Sequence, residues 1–208
     1  MASEQTITGV VLAGGRSRRL GRDKLVERVA GEPLVARVVT RLSDVAVEII
    51  AVVADERAGS ALGLPTAVRV VADAYPGKGS LGGIYTGVAA SANPWTFIAA
   101  GDMPFLSLPL LRHMTTIRDG CDVVVPVVDG RPEPTHALYA KACLEPMQRR
   151  LQLEKLKITG FFPDVRVREV PEDEVRRYDP NLLSFFNINT QEDLERAEAL
   201  AAQASEGV

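Results

Sequence analysis

Glycines and cations crowd the first part of the chain in a pattern suited to binding phosphate. An apolar run ends at Gly14-Gly15, and the next positions carry one more glycine and five cations, at Arg16, Arg18, Arg19, Gly21, Arg22 and Lys24. Glycine lets backbone N–H groups approach an anion closely, and guanidinium forks match phosphate oxygens. The spacing differs from both the Walker A loop and the Gly-x-Gly-x-x-Gly loop. We interpret it as a phosphate-binding loop of another kind; the alternative is a surface turn with solvated arginines.

Asp102 is the candidate metal ligand. It follows a predicted strand, Trp95–Ala100, and precedes the stiff dipeptide Met103-Pro104. Magnesium takes one or two protein carboxylates and fills its remaining positions with water and phosphate oxygens. The alternative is an Asx turn or a helix N-cap before the helix near Leu108. A phosphate loop at a neighbouring strand end favours the metal.

A glycine-rich segment runs from Asp73 to Ile84, with glycines at 77, 79, 82 and 83. Bare backbone can pack against a flat base or a sugar, and the Asp73 carboxylate can accept hydrogen bonds from a base edge or a hydroxyl. We therefore expect this segment on the nucleotide side of the site. The alternative is a long flexible connection.

Two amides, Asn187 and Asn189, lie either side of Ile188. The segment Ser184–Ile188 is predicted to be a strand, and a strand's period of two would put both amides on one face. The alternative is turn chemistry before Thr190, which is predicted to cap the last helix. His136 is expected to be half-buried with its hydrogen bonds satisfied.

Composition bounds the class of protein. The chain has 208 residues, of which 46% are hydrophobic and 25% charged, and residues 1–208 are expected to form one globular domain. A net charge of −3 argues against a nucleic-acid partner and favours a small anionic ligand. Cys121 and Cys143 have neither metal-site nor C-x-x-C spacing, which suits a reducing compartment. No apolar run approaches the ~18 residues of a membrane span, so we expect a cytoplasmic protein without a membrane partner.

The order of elements predicts an α/β fold. Strands are predicted at 6–13, 47–53, 68–72, 95–100, 122–128, 137–140, 165–170 and 184–188. Helices are predicted at 33–42, 82–91, 108–117, 141–151 and 190–202. Continuous apolar strands alternating with helices indicate a largely parallel sheet covered on both faces. In such sheets ligands bind at the carboxyl ends of the strands, so the Gly14 turn and Asp102 should face one crevice.

Five segments in order resemble the molybdenum cofactor guanylyltransferases. They are LAGGRSRRLGRDK, D-x-x-PGKGSLGGI, GDMPFL, EPTHALY and FFNINTQEDL, and they span Leu12 to about Leu194. The resemblance implies a Rossmann-like, three-layer nucleotidyltransferase fold whose mostly parallel sheet contains one antiparallel strand. It also implies transfer of GMP from GTP to molybdopterin, usually already carrying molybdenum, with release of pyrophosphate.

The resemblance further implies a set of site residues. Lys24, Asp102 and Arg19 would be catalytic, and Asp102 would hold Mg²⁺. Nucleotide and pterin contacts would come from Leu12, Ala13, Gly14, Gly15, Lys24, Asp73, Gly79, Gly82, Asp102, Asn187 and Asn189, with the two asparagines near the pterin. Beyond GTP and molybdopterin, the family implies molybdenum-insertion proteins and molybdoenzyme chaperones as partners.

The chain departs from the family pattern in three places. Gly79-Ser80-Leu81 stands where relatives usually have Gly-Pro-Leu, and Lys155-Leu156-Lys157 where many have an arginine pair. Lysine lacks the bidentate fork of arginine, which leaves the pterin contacts less defined than the nucleotide contacts. A nucleotide-contacting asparagine at the end of the second strand is replaced by the segment Val53-Ala54-Asp55.

Two other readings stay open. A molybdopterin cytidylyltransferase would run the same chemistry with CTP, although its members tend to begin Leu-Ala-Ala-Gly. A nucleotide-binding chaperone without turnover would share the cleft, although such a protein would often lack either Lys24 or Asp102. Sugar-phosphate and methylerythritol-phosphate nucleotidyltransferases fit the later segments poorly.

Overall fold

A mostly parallel sheet runs through the centre of the molecule. The computed structural model of the chain describes residues 7–14 and 24–206. Within these residues the strands β1 to β10 are, in chain order, Ile7–Leu12, Arg28–Val29, Glu32–Pro33, Glu48–Val53, Arg69–Ala72, Trp95–Ala100, Val123–Val128, Arg131–Pro132, His136–Ala140 and Val167–Val170. The α-helices α1 to α7 are Leu34–Ser43, Glu56–Ala61, Gly79–Ala90, Leu108–Thr116, Leu144–Gln152, Glu172–Val175 and Gln191–Glu206. Short 3-10 turns lie at Lys24–Val26, Lys141–Cys143, Ile158–Asp164 and Leu183–Phe185.

The strand order of the main sheet is β10-β7-β9-β6-β1-β4-β5. β9 is antiparallel to both of its neighbours, β6 and β7, whereas the other pairs along this path are parallel. The short β8 pairs with β7, and β2 and β3 form a separate two-stranded hairpin. The expected sheet, parallel with one antiparallel strand, is therefore confirmed.

Helices cover both faces of the sheet, which makes three layers. Alternate residues of β1 point to opposite faces: Val11 packs in a cluster with α1 and α4 residues, and Val10 in a second cluster with α3 and α5 residues. A third cluster buries Ile188 between α7 and the segment around Val29 and Leu34. No helix of the described residues is long and apolar enough to span a membrane.

Most predicted elements match the structure to within a few residues, and Trp95–Ala100 matches at both ends. The predicted cap of the last helix is confirmed, because Thr190 Oγ1 accepts the Asp193 N–H at 3.1 Å. Helix α2 was not predicted, because its six residues are too few to show a helical period. The Asp55 carboxylate caps it by accepting the Ala58 N–H.

The predicted strand Ser184–Ile188 is wrong. The Asp179 carboxylate accepts the N–H groups of Leu183 and Ser184, at 3.1 and 2.8 Å. The Phe186 N–H then donates to the Leu183 carbonyl at 3.1 Å. Because these backbone donors are taken locally, the segment makes a 3-10 turn and the period-two argument for Asn187 and Asn189 does not apply.

His136 is completely buried rather than half-buried. Its ring lies between Phe97 and Phe185, with centroids at 5.2 and 5.0 Å. Neither ring nitrogen has a hydrogen-bond partner among the described residues, so the expectation of satisfied hydrogen bonds is also wrong. Burial lowers the pKa of His136 to about 3, from an ordinary 6.5.

This buried histidine predicts an acid-sensitive fold. Above pH ~6.5 the ring is neutral in both states and contributes no pH dependence. As the pH falls from there towards the native pKa, this histidine is protonated in the unfolded chain but stays neutral in the native state. The free energy of unfolding therefore falls by about 1.4 kcal/mol per pH unit. Between about pH 6.5 and 5 the loss from this group should be about 2 kcal/mol.

Urea unfolding of wild type and His136→Leu at several pH values measures this loss. The leucine variant should lack that part of the pH dependence while remaining folded at neutral pH. Equal slopes in the two proteins over the same pH range would contradict the assignment.

Candidate functional site

The carboxyl ends of four adjacent strands build the candidate site. Leu12 at the end of β1 is in register with Val52 of β4 and Ala100 of β6, and Val53 is in register with Ala72 of β5. Backbone hydrogen bonds continue past the strand ends, from Ala13 N–H to Val52 and from Gly101 N–H to Leu12. The residues that follow these strands therefore meet at one edge of the sheet, as expected for ligand sites of parallel sheets.

A glycine-loop cavity of about 740 Å³ opens beside β4 and β5. Its lining is mostly backbone and small side chains with two carboxylates, and comprises Gly14, Ala54, Asp55, Asp73, Pro76, Gly77, Gly79 and Ser80. Gly77 and Gly79 have φ of +83° and +63°, in the left-handed region that favours glycine. This conformation turns the loop into α3 and leaves bare backbone along the wall of the cavity.

A smaller inner cavity of about 160 Å³ adjoins it, since Gly14 and Ser80 line both. The other lining residues come from the ends of β1 and β6, the turn at residue 24 and the start of β9: Leu12, Lys24, Leu25, Ala100, Asp102 and Thr135. The two cavities make one cleft, with two carboxylates in its outer part and the cleft's one described lysine at its inner end, beside Asp102.

Lys24, Asp102 and Asn189 form a polar cluster at that inner end. The Lys24 ammonium donates to Asp102 Oδ2 and, at 3.0 Å, to Asn189 Oδ1. The side chains of Lys24 and Asp102 are only 15% and 17% exposed. Asp102 is held in place through its backbone, because its carbonyl accepts the Ile188 N–H at 3.0 Å.

The donor chemistry of this cluster fits a single-carboxylate magnesium site. The Asp102 carboxylate is paired with the Lys24 ammonium, which shows that this carboxylate accepts positive charge at the cavity. Within residues 7–14 and 24–206 no group of three or more His, Cys, Asp or Glu side chains could hold a metal ion. Any magnesium here would therefore take most of its ligands from phosphate and water, which is the habit of that ion.

Asp73 is fixed on the wall of the glycine-loop cavity. Its Oδ1 accepts the Tyr75 N–H and the Thr86 hydroxyl, both at 2.9 Å. Thr86 is buried in α3, and its own oxygen accepts the Ala74 N–H at 3.0 Å. One carboxylate oxygen thus holds the loop together, which fixes the side chain at the wall of the cavity.

The structure gathers several of the predicted residues in the cleft and leaves others outside its lining. Leu12, Gly14, Lys24, Asp73, Gly79 and Asp102 line the two cavities, and Asn189 contacts Lys24. The Ala13 N–H donates to the Val52 carbonyl, which extends the pairing of β1 with β4 past the end of β1.

The other predicted residues do not line the cleft. Gly82 lies outside both linings, and a Cβ at this position would come within 2.9 Å of the Tyr75 carbonyl oxygen. Asn187 turns its amide to the Phe185 carbonyl at 3.3 Å, and Gly15 and Arg19 lie outside the described residues.

Three of the polar residues that line the cleft were not among the predicted ones. Asp55 follows β4 as Asp102 follows β6, so its position after a strand was a usable signal. Ser80 was noted only as a departure from the family pattern. No sequence pattern marks Thr135 as a cleft residue. It lies just before β9, which is antiparallel to β6, and its carbonyl accepts the Ala100 N–H at 3.0 Å.

Comparison with known proteins points to one family. The sequence profile described as "MobA-like NTP transferase domain" matches residues 9–160. A probable molybdenum cofactor guanylyltransferase of Pelotomaculum thermopropionicum is 38% identical over 200 residues, covering 96% of each chain. A molybdenum cofactor guanylyltransferase of Desulfosudis oleivorans is 36% identical over 196 residues, covering 93% of this chain and 95% of that one.

A solved structure agrees with the sequence comparisons. The crystal structure of molybdopterin-guanine dinucleotide biosynthesis protein A from Archaeoglobus fulgidus superposes with a TM-score of 0.82 at 31% identity, and covers 94% of this chain and 99% of that one. These likenesses extend over the sheet and the cleft described above. The chain belongs to the MobA-like NTP transferase family of nucleotidyltransferases.

Proposed function

We propose that the protein transfers GMP from GTP to molybdopterin, giving the guanine dinucleotide form of the cofactor and pyrophosphate. The observation that carries the proposal is the Lys24–Asp102 pair in the inner cavity, which adjoins the larger glycine-loop cavity. The names of the relatives at 36% and 38% identity supply the substrates.

The proposed reaction is an in-line displacement at phosphorus. An oxygen of the terminal phosphate of molybdopterin forms a bond to the α-phosphorus of GTP, and the bond from that phosphorus to the α,β-bridging oxygen breaks. Pyrophosphate leaves with the electron pair. Because the attacking phosphate is already ionised near neutral pH, no general base is required, and catalysis consists of positioning and charge stabilisation.

The proposed roles of Lys24 and Asp102 follow from the positions of their side chains, and those of Gly14, Gly15 and Arg19 from the family resemblance. The Lys24 ammonium would meet the phosphates and stabilise the charge that develops as pyrophosphate leaves. Asp102 would hold Mg²⁺, which when bound neutralises phosphate charge and helps to orient the nucleotide. Gly14 and Gly15 would offer backbone donors, and Arg19 a guanidinium, to the same phosphates.

The acidic wall of the glycine-loop cavity favours guanine over cytosine. The Watson–Crick edge of guanine presents two adjacent N–H donors, at N1 and N2, which one carboxylate can accept together, whereas that edge of cytosine presents one donor, at N4, beside acceptors at N3 and O2. Asp55 and Asp73 both line this cavity. Asp55 already accepts the Ala58 N–H, and Asp73 already accepts the Tyr75 N–H and the Thr86 hydroxyl, so a base would meet their remaining oxygens. Guanine offers those oxygens one donor more than cytosine does, and a site discriminates between substrates by such hydrogen bonds.

The experiment that tests this function measures pyrophosphate release by the purified protein with magnesium and molybdopterin, comparing GTP with CTP, ATP and UTP. Release with GTP alone is expected. Release with CTP alone would instead assign the protein as a cytidylyltransferase and leave the phosphate and metal roles in place. No release with any nucleotide, although GTP raises the melting temperature, would indicate a nucleotide-binding protein without turnover.

A further inference from the structure

We infer that Asn189 is a positioning residue that acts through Lys24, rather than a contact for the acceptor substrate. This inference rests on the proposed function, because Lys24 matters only if an anion meets it. The Asn189 amide oxygen lies 3.0 Å from Lys24 Nζ, across 165 positions of the chain. An ammonium can only donate, so the amide must present its oxygen to Lys24 and turn its NH₂ group away.

The backbone of Asn189 is fixed on both sides. On one side Ile188 is fully buried, and its N–H donates to the Asp102 carbonyl at 3.0 Å. On the other side the Asp193 carboxylate accepts the N–H groups of Asn189 and Thr190, both at 2.9 Å. The hydrogen bond from the Asn189 N–H is the largest cause that lowers the pKa of Asp193, and Thr190 lowers it further, so the carboxylate is charged near neutral pH. The cap of α7 thereby sets the amide oxygen of Asn189 relative to the Asp102 strand end.

A cation that bound to Asp102 would change the contacts of Lys24. In the structure Lys24 has two anchors, the Asp102 carboxylate and the Asn189 amide. A cation on Asp102 would displace the ammonium from the first anchor, because both positive charges compete for one carboxylate. Asn189 is neutral and fixed, so it would still hold Lys24 at the cleft, where the ammonium can turn to phosphate.

A double-mutant cycle on anion affinity tests the inference, with inorganic pyrophosphate as the probe and titration calorimetry as the measurement. In the wild-type background Asn189→Leu should weaken pyrophosphate binding about tenfold, the scale of one hydrogen bond to a charged group. In the Lys24→Met background the same substitution should have no further effect, because residues that act as a unit are not additive. Equal weakening in both backgrounds, or none in the wild type, would overturn the inference.

The design includes checks on folding and on function. Asn189 is exposed, so the variant should keep the urea midpoint of the wild type. Gln191→Leu, at the exposed first residue of α7, should keep wild-type affinity. In turnover assays, a fall in kcat with an unchanged KM for molybdopterin supports positioning. A raised KM for molybdopterin with unchanged kcat would make Asn189 an acceptor contact and refute it.

The binding cycle needs no turnover, so it separates the two claims. If GTP fails to support pyrophosphate release but the cycle shows coupling, the proposed reaction is wrong and the role of Asn189 stands. If the wild-type protein has no affinity for pyrophosphate, Lys24 has no anion to meet and the inference falls.

Discussion

Replacing Asp102 by alanine will lower kcat for pyrophosphate release by two orders of magnitude or more. The carboxylate lies at the inner end of the cleft, is 17% exposed and is paired with the Lys24 ammonium. Losing one charged partner of a developing phosphate charge typically costs about 10²- to 10³-fold in rate. Because Asp102 is the proposed magnesium ligand, the residual activity of the variant should respond only weakly to added magnesium.

The matched control is Asp119→Ala, which removes an exposed carboxylate from the loop between α4 and β7. It should keep wild-type kcat and magnesium dependence. Asp102→Asn keeps the shape of the side chain and removes its charge, so it separates a charge effect from a packing effect. Near wild-type kcat for Asp102→Ala at saturating magnesium would show that the assigned role is wrong.

Lys24→Ala should also cost two orders of magnitude or more in kcat, for a different reason. The ammonium lies between Asp102 and Asn189 and is the one described lysine that lines either cavity of the cleft. Its proposed task is to stabilise the leaving pyrophosphate, an interaction that strengthens as the bond breaks. Kinetics at saturating GTP and magnesium measure it, and the magnesium dependence should persist at the lower rate.

Two further variants sharpen the result. Lys24→Arg keeps the charge but spreads it over a planar fork, so an intermediate loss is expected. Arg112→Ala removes an exposed cation of α4 that lines neither cavity, and should leave kcat unchanged. If Lys24→Ala raised only the KM for GTP and kept kcat, Lys24 would bind the ground state without stabilising the transition state.

Local patterns predicted the elements that carry the cleft, but not all the details of their ends. The apolar runs that become β1 and β6 are each followed by a glycine and a polar group, so both strands and the positions of Gly14 and Asp102 could be read directly. The strand predicted at Ser184–Ile188 was wrong because the carboxylate of Asp179, several residues earlier, captures its N–H groups. His136 was misjudged because a single polar residue in an apolar run does not reveal whether partners exist around it.

The sequence by itself determined the alternation of strands and helices, the glycine- and cation-rich composition of the segment ending at Lys24, and the strand-end position of Asp102. These follow from short-range periodicity, glycine and charge, which act over a few residues. Only the tertiary structure decided that Asn189 meets Lys24 and that Asp55 and Asp73 share a cavity wall. These contacts depend on the strand order and on the burial of Ile188 beside Asp102, at the end of β6. Both are set by packing between residues far apart in the chain, which no local pattern records.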